Sequence, residues 1–164
     1  RPDDLQRLLN AADEDVKPVI ALCGLAGLRL AEALRIQWEE VFMRDEYVTI
    51  PARIAKGRYK RLIKLQDSLR SWLEPYRNRS GKVWSLSTDT FYEKSKALRK
   101  RLEIVGIKNG LRHGFVSYHF ALFGEAETAS QAGHDAKILH SCYRGLATTA
   151  EAKAWFGVMP GNDL

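Results

Sequence analysis

At 164 residues and 45% hydrophobic content, the chain has apolar material for one ordinary core and too little length for two full domains. No run of about 18 apolar residues occurs, and the start (Arg1, Pro2, Asp3, Asp4) has neither an apolar targeting core nor an initiator Met. This excludes a membrane-spanning reading and makes a soluble domain trimmed from a longer protein the expectation. A formal charge of +6 with a pI near 9.4 suits a protein that meets a polyanion, although where the charge lies carries more meaning than its sum.

Asp3 or Asp4 suits the cap of a first helix carrying Leu5, Leu8 and Leu9, and Pro18 suits the first turn of a second through Ile20, Leu22 and Leu25. Gly24 and Gly27 loosen its end. A third helix from near Arg29 carries Leu30, Ala33 and Leu34, with Trp38 as its last candidate. Residues 41–65 change character: β-type stretches at 41–43, 47–50 and 61–65 are separated by the polar turns Arg44-Asp45-Glu46 and Lys56-Gly57-Arg58, which predicts a small three-stranded antiparallel sheet.

Helical periodicity returns at Leu69, Trp72, Leu73 and Tyr76 after an Asp67 cap, and again at Phe91, Leu98, Leu102 and Val105. The second of these helices crowds together Lys94, Lys96, Arg99, Lys100 and Arg101, a stretch that suits DNA phosphates and a solvated face equally well. Past Gly110 a helix carries Phe115, Val116, Tyr118, His119 and Leu122, with shorter helical pieces at 126–132 and 136–142. Thr148 with Glu151 three residues later is a capping-box pattern, and Ala154, Trp155 and Val158 give a short apolar face before Pro160 and Gly161. The whole reads as one mainly α (α+β) domain spanning 1–164. Cys23 and Cys142 lack metal-ligand spacing and read as buried, reduced thiols, which fits a cytoplasmic compartment.

The tripeptide Gly-Leu-Arg occurs twice, as Gly27-Leu28-Arg29 and Gly110-Leu111-Arg112, each where a glycine-loosened segment gives way to a helix. Free backbone N–H groups, the positive end of the helix dipole and a guanidinium fork together favour a phosphate there. Taken alone, each arginine reads better as the partner of a nearby carboxylate, Arg29 with Glu32 for example. Lys56 lies in a turn at a hairpin tip and His134 follows Gly133 in a loop, and residues in such places are more often surface groups than catalysts. Composition does not rank the six tyrosines. His113 and His119, like His134 and His140, stand six residues apart, on different faces of a helix and without metal-ligand spacing.

As an ordered set these positions resemble the tyrosine recombinase family, also called the phage integrase family. The resemblance runs from about Asp3 to Pro160 and rests on Gly-Leu-Arg-Leu-Ala-Glu at 27–32, Lys56-Gly57 before the 61–65 strand, Leu111-Arg112-His113, Gly133-His134, and Tyr143. His134 and Tyr143 stand nine positions apart, the family's offset between its histidine or tryptophan and its nucleophile. Each element is weak alone, and chance does not readily place all five in this order.

The resemblance implies that Arg29 and Arg112 clamp a scissile DNA phosphate, that Glu32 supports them from behind, and that Lys56 is the general acid. It implies that His134 hydrogen-bonds a non-bridging oxygen and that Tyr143 attacks phosphorus to give a 3′-phosphotyrosine and a free 5′-hydroxyl. Neither metal nor cofactor is implied, and the sequence offers no clustered carboxylates of the kind a two-metal nuclease needs. The expected partners are double-stranded DNA and other recombinase subunits assembled on it through residues 148–164, at the bacterial nucleoid. The family's N-terminal core-binding domain is expected to be missing from this chain.

One position departs from the pattern. The family most often has His-x-x-Arg in its second box, and the residue three before Arg112 is Asn109. Asparagine donates a hydrogen bond to a phosphate oxygen but does not exchange a proton near neutral pH, so the position is read as a variant. Two other readings stand beside recombination: relaxation of supercoils by type IB topoisomerase chemistry, and a catalytically silent DNA-binding relic.

Overall fold

In the computed structural model, which describes residues 1–42, 46–133 and 146–161, the chain opens with helix α1 (Pro2–Ala11). Pro2 takes the first-turn place that its missing N–H suits, and Asp3 and Asp4 lie within that turn, where they complement the dipole, rather than at the cap. Helix α2 (Lys17–Leu25) is buried at every position from Pro18 to Leu25, so it has no polar face and forms the centre of the core. It ends at a reversal through Gly27, whose φ is +65°. A β-carbon there would stand 2.2 Å from the Phe115 ring, so the chain needs glycine.

The third predicted helix is split in two. Helix α3 (Leu30–Ala33) is a single turn, and a separate helix α4 (Trp38–Phe42) begins where the Glu40 carboxylate accepts the Gln37 N–H at 2.9 Å. This overturns the strand expected at 41–43: Val41 and Phe42 end α4, and Met43 lies outside the described residues. Trp38 and Val41 are both buried at helical spacing, and Trp38 stacks on Phe42 at 5.9 Å and on Tyr76 at 5.3 Å. Aromatic packing one turn apart thus outweighs local β preference.

The described sheet has two strands, not three. Strand β1 (Tyr47–Ile50) runs antiparallel to β2 (Arg61–Lys64), with Ile50 opposite Arg61 and Tyr47 opposite Lys64. Helix α5 (Asp67–Leu73) follows a cap at Gln66 and runs into a 3₁₀ turn at Glu74–Tyr76. Helix α6 (Thr88–Arg101) is capped by Ser87, which accepts the Thr90 N–H at 3.1 Å, and stops short of Val105, which is exposed. Helix α7 (Gly110–Ala132) leaves helical geometry at Gly124, whose φ is +78°, and so comprises the two helical pieces expected on either side.

Helix α8 (Thr149–Phe156) starts with the capping box of Thr148 and Glu151. Its apolar face is used within the chain: the Trp155 indole donates to the Gly24 carbonyl at 2.9 Å, Trp155 is buried over Gly114, and the Trp72 indole donates to the Val158 carbonyl at 3.1 Å. The basic stretch of α6 is partly spent on the fold as well. Lys94 pairs with Asp13 and Asp15, Arg99 donates to Ser95, and Arg101 donates to the Ala11 carbonyl, whereas Lys96 and Lys100 remain exposed.

Candidate active site

Arg29 stands at the extended N-cap of α3, where its backbone N–H donates to Glu32 at 2.9 Å and its guanidinium pairs with the same carboxylate at 3.3 Å. Glu32 is only 1% exposed. From the other side Arg61 grips it with both ends of its fork, at 3.0 and 2.7 Å. Burial raises the Glu32 pKa, but the hydrogen bonds and charge of Arg61, followed by those of Arg29, outweigh it and hold the carboxyl down to about 2. The pairing of Arg29 with Glu32 expected from sequence is present, and the Arg29 side chain keeps 24% of its exposure.

Arg112 lies in the first turn of α7 and is buried. Its guanidinium donates to the Gly27 carbonyl and, at 2.6 Å, to the Ala132 carbonyl. Arg29 donates to the next carbonyl, Gly133, at 3.3 Å, and Arg61 to the preceding one, Gln131, at 3.2 Å. Three guanidiniums therefore meet three consecutive carbonyls at the C-terminal end of α7, where main-chain oxygens lack helical partners and the dipole is negative. Gly133 then turns the chain with a φ of +61°. Arg29 and Arg61 share the Glu32 carboxylate while Arg112 binds main-chain carbonyls, so among the described residues guanidiniums outnumber carboxylates in this cluster, an arrangement suited to an anion.

Lys56 is exposed in the loop between β1 and β2, after Ile54 and Ala55, which are buried. Arg35 fixes the start of that loop by donating to the Ile54 carbonyl at 2.9 Å. The far end of the loop enters β2, and β2 is joined to α7 by Arg61 and by the Lys64 N–H, which donates to the Gln131 side chain at 3.2 Å. The loop and the arginine cluster thus share one strand as a support. Asn109 is the exposed N-cap of α7, in the left-handed region at φ +57°, and its side chain makes no cap hydrogen bond. Backbone geometry is enough to account for asparagine at this position, since it tolerates that conformation well. His134 and Tyr143, together with Cys142 and His140, lie outside the described residues.

Arg61 is a site residue that the local sequence pattern places only in a strand. The signal was present in the alternation: positions 61, 63 and 65 share a face, and Ile63 and Leu65 are buried, so Arg61 points inward, where a cation needs a partner. Cys23 is buried near Arg112, and burial pushes its thiol up to about 12 despite that charge, so it is an inert core residue. His119 is fully buried among Phe115, Phe123 and Phe156, with Nδ1 2.8 Å from the Thr128 hydroxyl. It belongs to packing, as expected of a histidine without metal spacing.

The model of the phage integrase family matches residues 1–119, a stretch that contains Arg29, Glu32, Lys56, Asn109 and Arg112. Among curated proteins, the prophage integrase IntZ of Escherichia coli (strain K12) is 25% identical over 163 residues, covering 93% of this chain and 40% of that protein. Among solved structures, the XerA recombinase superposes with a TM-score of 0.71 at 17% identity, over 98% of this chain and 65% of that one. The integrase of mycobacterium phage Brujita superposes with a TM-score of 0.66 at 20% identity, over 99% and 58%. The chain therefore shares their fold and spans less than two thirds of the length of each of these proteins.

Proposed function

The chain belongs to the phage integrase family of tyrosine recombinases, and from that premise we propose that it cuts and rejoins double-stranded DNA at specific sites through a 3′-phosphotyrosine on Tyr143. The observation that carries this reading is the convergence of Arg29 and Arg112 on adjacent carbonyls, immediately before His134 in sequence, over a Glu32 already neutralised by Arg61. Two forks fixed on one helix end are preorganised for the charge that gathers on the non-bridging oxygens in the transition state. In this reading Tyr143 attacks phosphorus as its phenolate, the bond to the 5′-oxygen breaks, and Lys56 protonates the departing oxygen. His134 donates to a non-bridging oxygen. Rejoining reverses these steps: a 5′-hydroxyl attacks the phosphotyrosine, Lys56 takes the proton back, and Tyr143 leaves.

Asn109, exposed at the start of α7, contributes phosphate binding in this reading and no proton transfer. The chemistry draws on no metal, because the cations come from the chain itself. Other subunits assemble with it on DNA. If they take up residues 148–164, they must first displace Trp155 from Gly24, since that face is occupied within the chain. The function is tested on a nicked duplex carrying the DNA that flanks the gene and on supercoiled plasmids with one or two copies of that DNA. Recombination requires a covalent adduct and rearrangement only where paired sites are present. Relaxation of plasmids regardless of sites would assign topoisomerase chemistry, and binding without adduct would assign a silent DNA-binding domain.

A further inference from the structure

We infer that Arg61 is a positioning residue for this reaction: it supplies the counter-charge to Glu32 that leaves Arg29 available to a phosphate, and it fixes the end of α7 from which His134 follows. The inference rests on the reading of Arg29 as a phosphate ligand. All three guanidinium nitrogens of Arg61 are engaged, two on Glu32 at 3.0 and 2.7 Å and Nε on the Gln131 carbonyl at 3.2 Å. The side chain is 10% exposed, too enclosed to serve as a DNA contact itself. Its stem lies directly under the turn, since a β-carbon on Gly133 would stand 3.3 Å from its Cδ.

An isolated buried carboxylate beside Arg29 would draw that guanidinium into a closed pair, because an unpaired charge in a water-poor site is costly. Arg61 prevents this by taking the carboxylate bidentately, so Glu32 can hold Arg29 through the backbone N–H at 2.9 Å and a looser side-chain contact at 3.3 Å. Arg29 keeps its orientation without losing its charge. The same guanidinium ties β2 to the helix end, so the Lys56 loop and the arginine cluster share one rigid support.

The test measures covalent adduct formation on a nicked duplex in single turnover, at a temperature well below the melting point of every variant. Arg61→Gln should lower the rate at saturating DNA by about tenfold to a hundredfold, as misplacement of supporting groups does, while the half-saturating DNA concentration changes by less than about threefold. Arg61→Lys, which keeps the charge and loses the fork, should recover part of the rate; if Arg61→Gln does not fold, Arg61→Lys is read alone against wild type. The double variant Arg61→Gln with Glu32→Gln should be no slower than Arg61→Gln, because the two residues act as one unit. An unchanged saturating rate, or a loss confined to the half-saturating concentration, overturns the inference. Failure of wild type to form any adduct would instead remove the recombinase reading. The positioning claim is then judged by ¹⁵N NMR of the Arg29 side chain. Its Nη resonances should shift and sharpen in Arg61→Gln, as the guanidinium closes on Glu32, with the backbone spectrum retained, and an unchanged Arg29 signal would overturn it.

Discussion

Arg29 and Arg112, 83 residues apart in sequence, donate to the carbonyls of adjacent residues, Gly133 and Ala132. One helix end therefore sets both guanidiniums, but their burial differs, and so should the cost of removing them. Arg112→Ala leaves the Gly27 and Ala132 carbonyls without this donor in a buried place, worth about 1–3 kcal/mol each. Arg29→Ala leaves Glu32 still paired with Arg61 and should cost much less. Calorimetry should show the larger fall in Tm for Arg112→Ala, and adduct assays should show loss of cleavage for both. Equal melting with cleavage retained in either variant would contradict the shared-clamp reading.

Lys56 is exposed on a loop, the setting in which a lysine is easiest to take for a surface group. A departing 5′-alkoxide is strongly basic, so a positioned acid contributes on the order of 10²–10⁴-fold. Lys56→Ala should slow cleavage by about that factor and change DNA binding far less, since one phosphate contact among many is lost. Replacing the bridging 5′-oxygen by sulfur, whose thiolate leaves without a proton, should restore the Lys56→Ala rate but not that of Arg29→Ala or Arg112→Ala. Rescue of His134→Ala or Asn109→Ala in place of Lys56→Ala would move the acid to another residue.

Much of this arrangement is legible in the sequence, for identifiable reasons. The two Gly-Leu-Arg repeats mark where the chain reverses into helices, and Gly27 at φ +65° against Phe115 shows why glycine precedes Arg29. The Thr148 capping box is local and complete, and it forms as read. What was not legible is non-local. The strand expected at 41–43 gives way to a helix because Trp38 stacks on Tyr76, a partner that local pattern does not reveal. Arg61 was hidden because its carboxylate is 29 residues upstream and its carbonyl 70 downstream.

The sequence assigns the apolar face at Ala154, Trp155 and Val158 to a neighbouring subunit, but Trp155 and Val158 are buried against their own chain, and Ala152 is buried with them whereas Ala154 is exposed. Trp155→Ala should therefore lower stability by about 3–5 kcal/mol, the usual cost of truncating a buried tryptophan. Removing residues 148–164 should lower Tm at least as far. A truncated protein that melts like wild type but no longer assembles on DNA would assign the segment to a partner.

Burial among aromatic rings pushes the His119 imidazole down to about 4, with Glu127 opposing weakly. The unfolded chain takes up this proton near the ordinary value of 6.5 and the folded chain does not. The stability that His119 contributes is thus full above 6.5 and is lost as pH falls from there toward 4. Urea titrations across that window should show wild type weakening more steeply than His119→Gln. Parallel pH profiles would mean that His119 is not the proton-linked group.

In the proposed reaction DNA becomes joined to Tyr143. Wild-type protein trapped on a nicked duplex, digested and mapped by mass spectrometry, should carry the nucleotide on Tyr143, in equal yield with and without a strong chelator. Tyr143→Phe should bind the same DNA and give no adduct, since only the attacking oxygen is removed. A nucleotide mapped to Tyr118 or any other tyrosine, or an adduct that persists in Tyr143→Phe, would contradict the account.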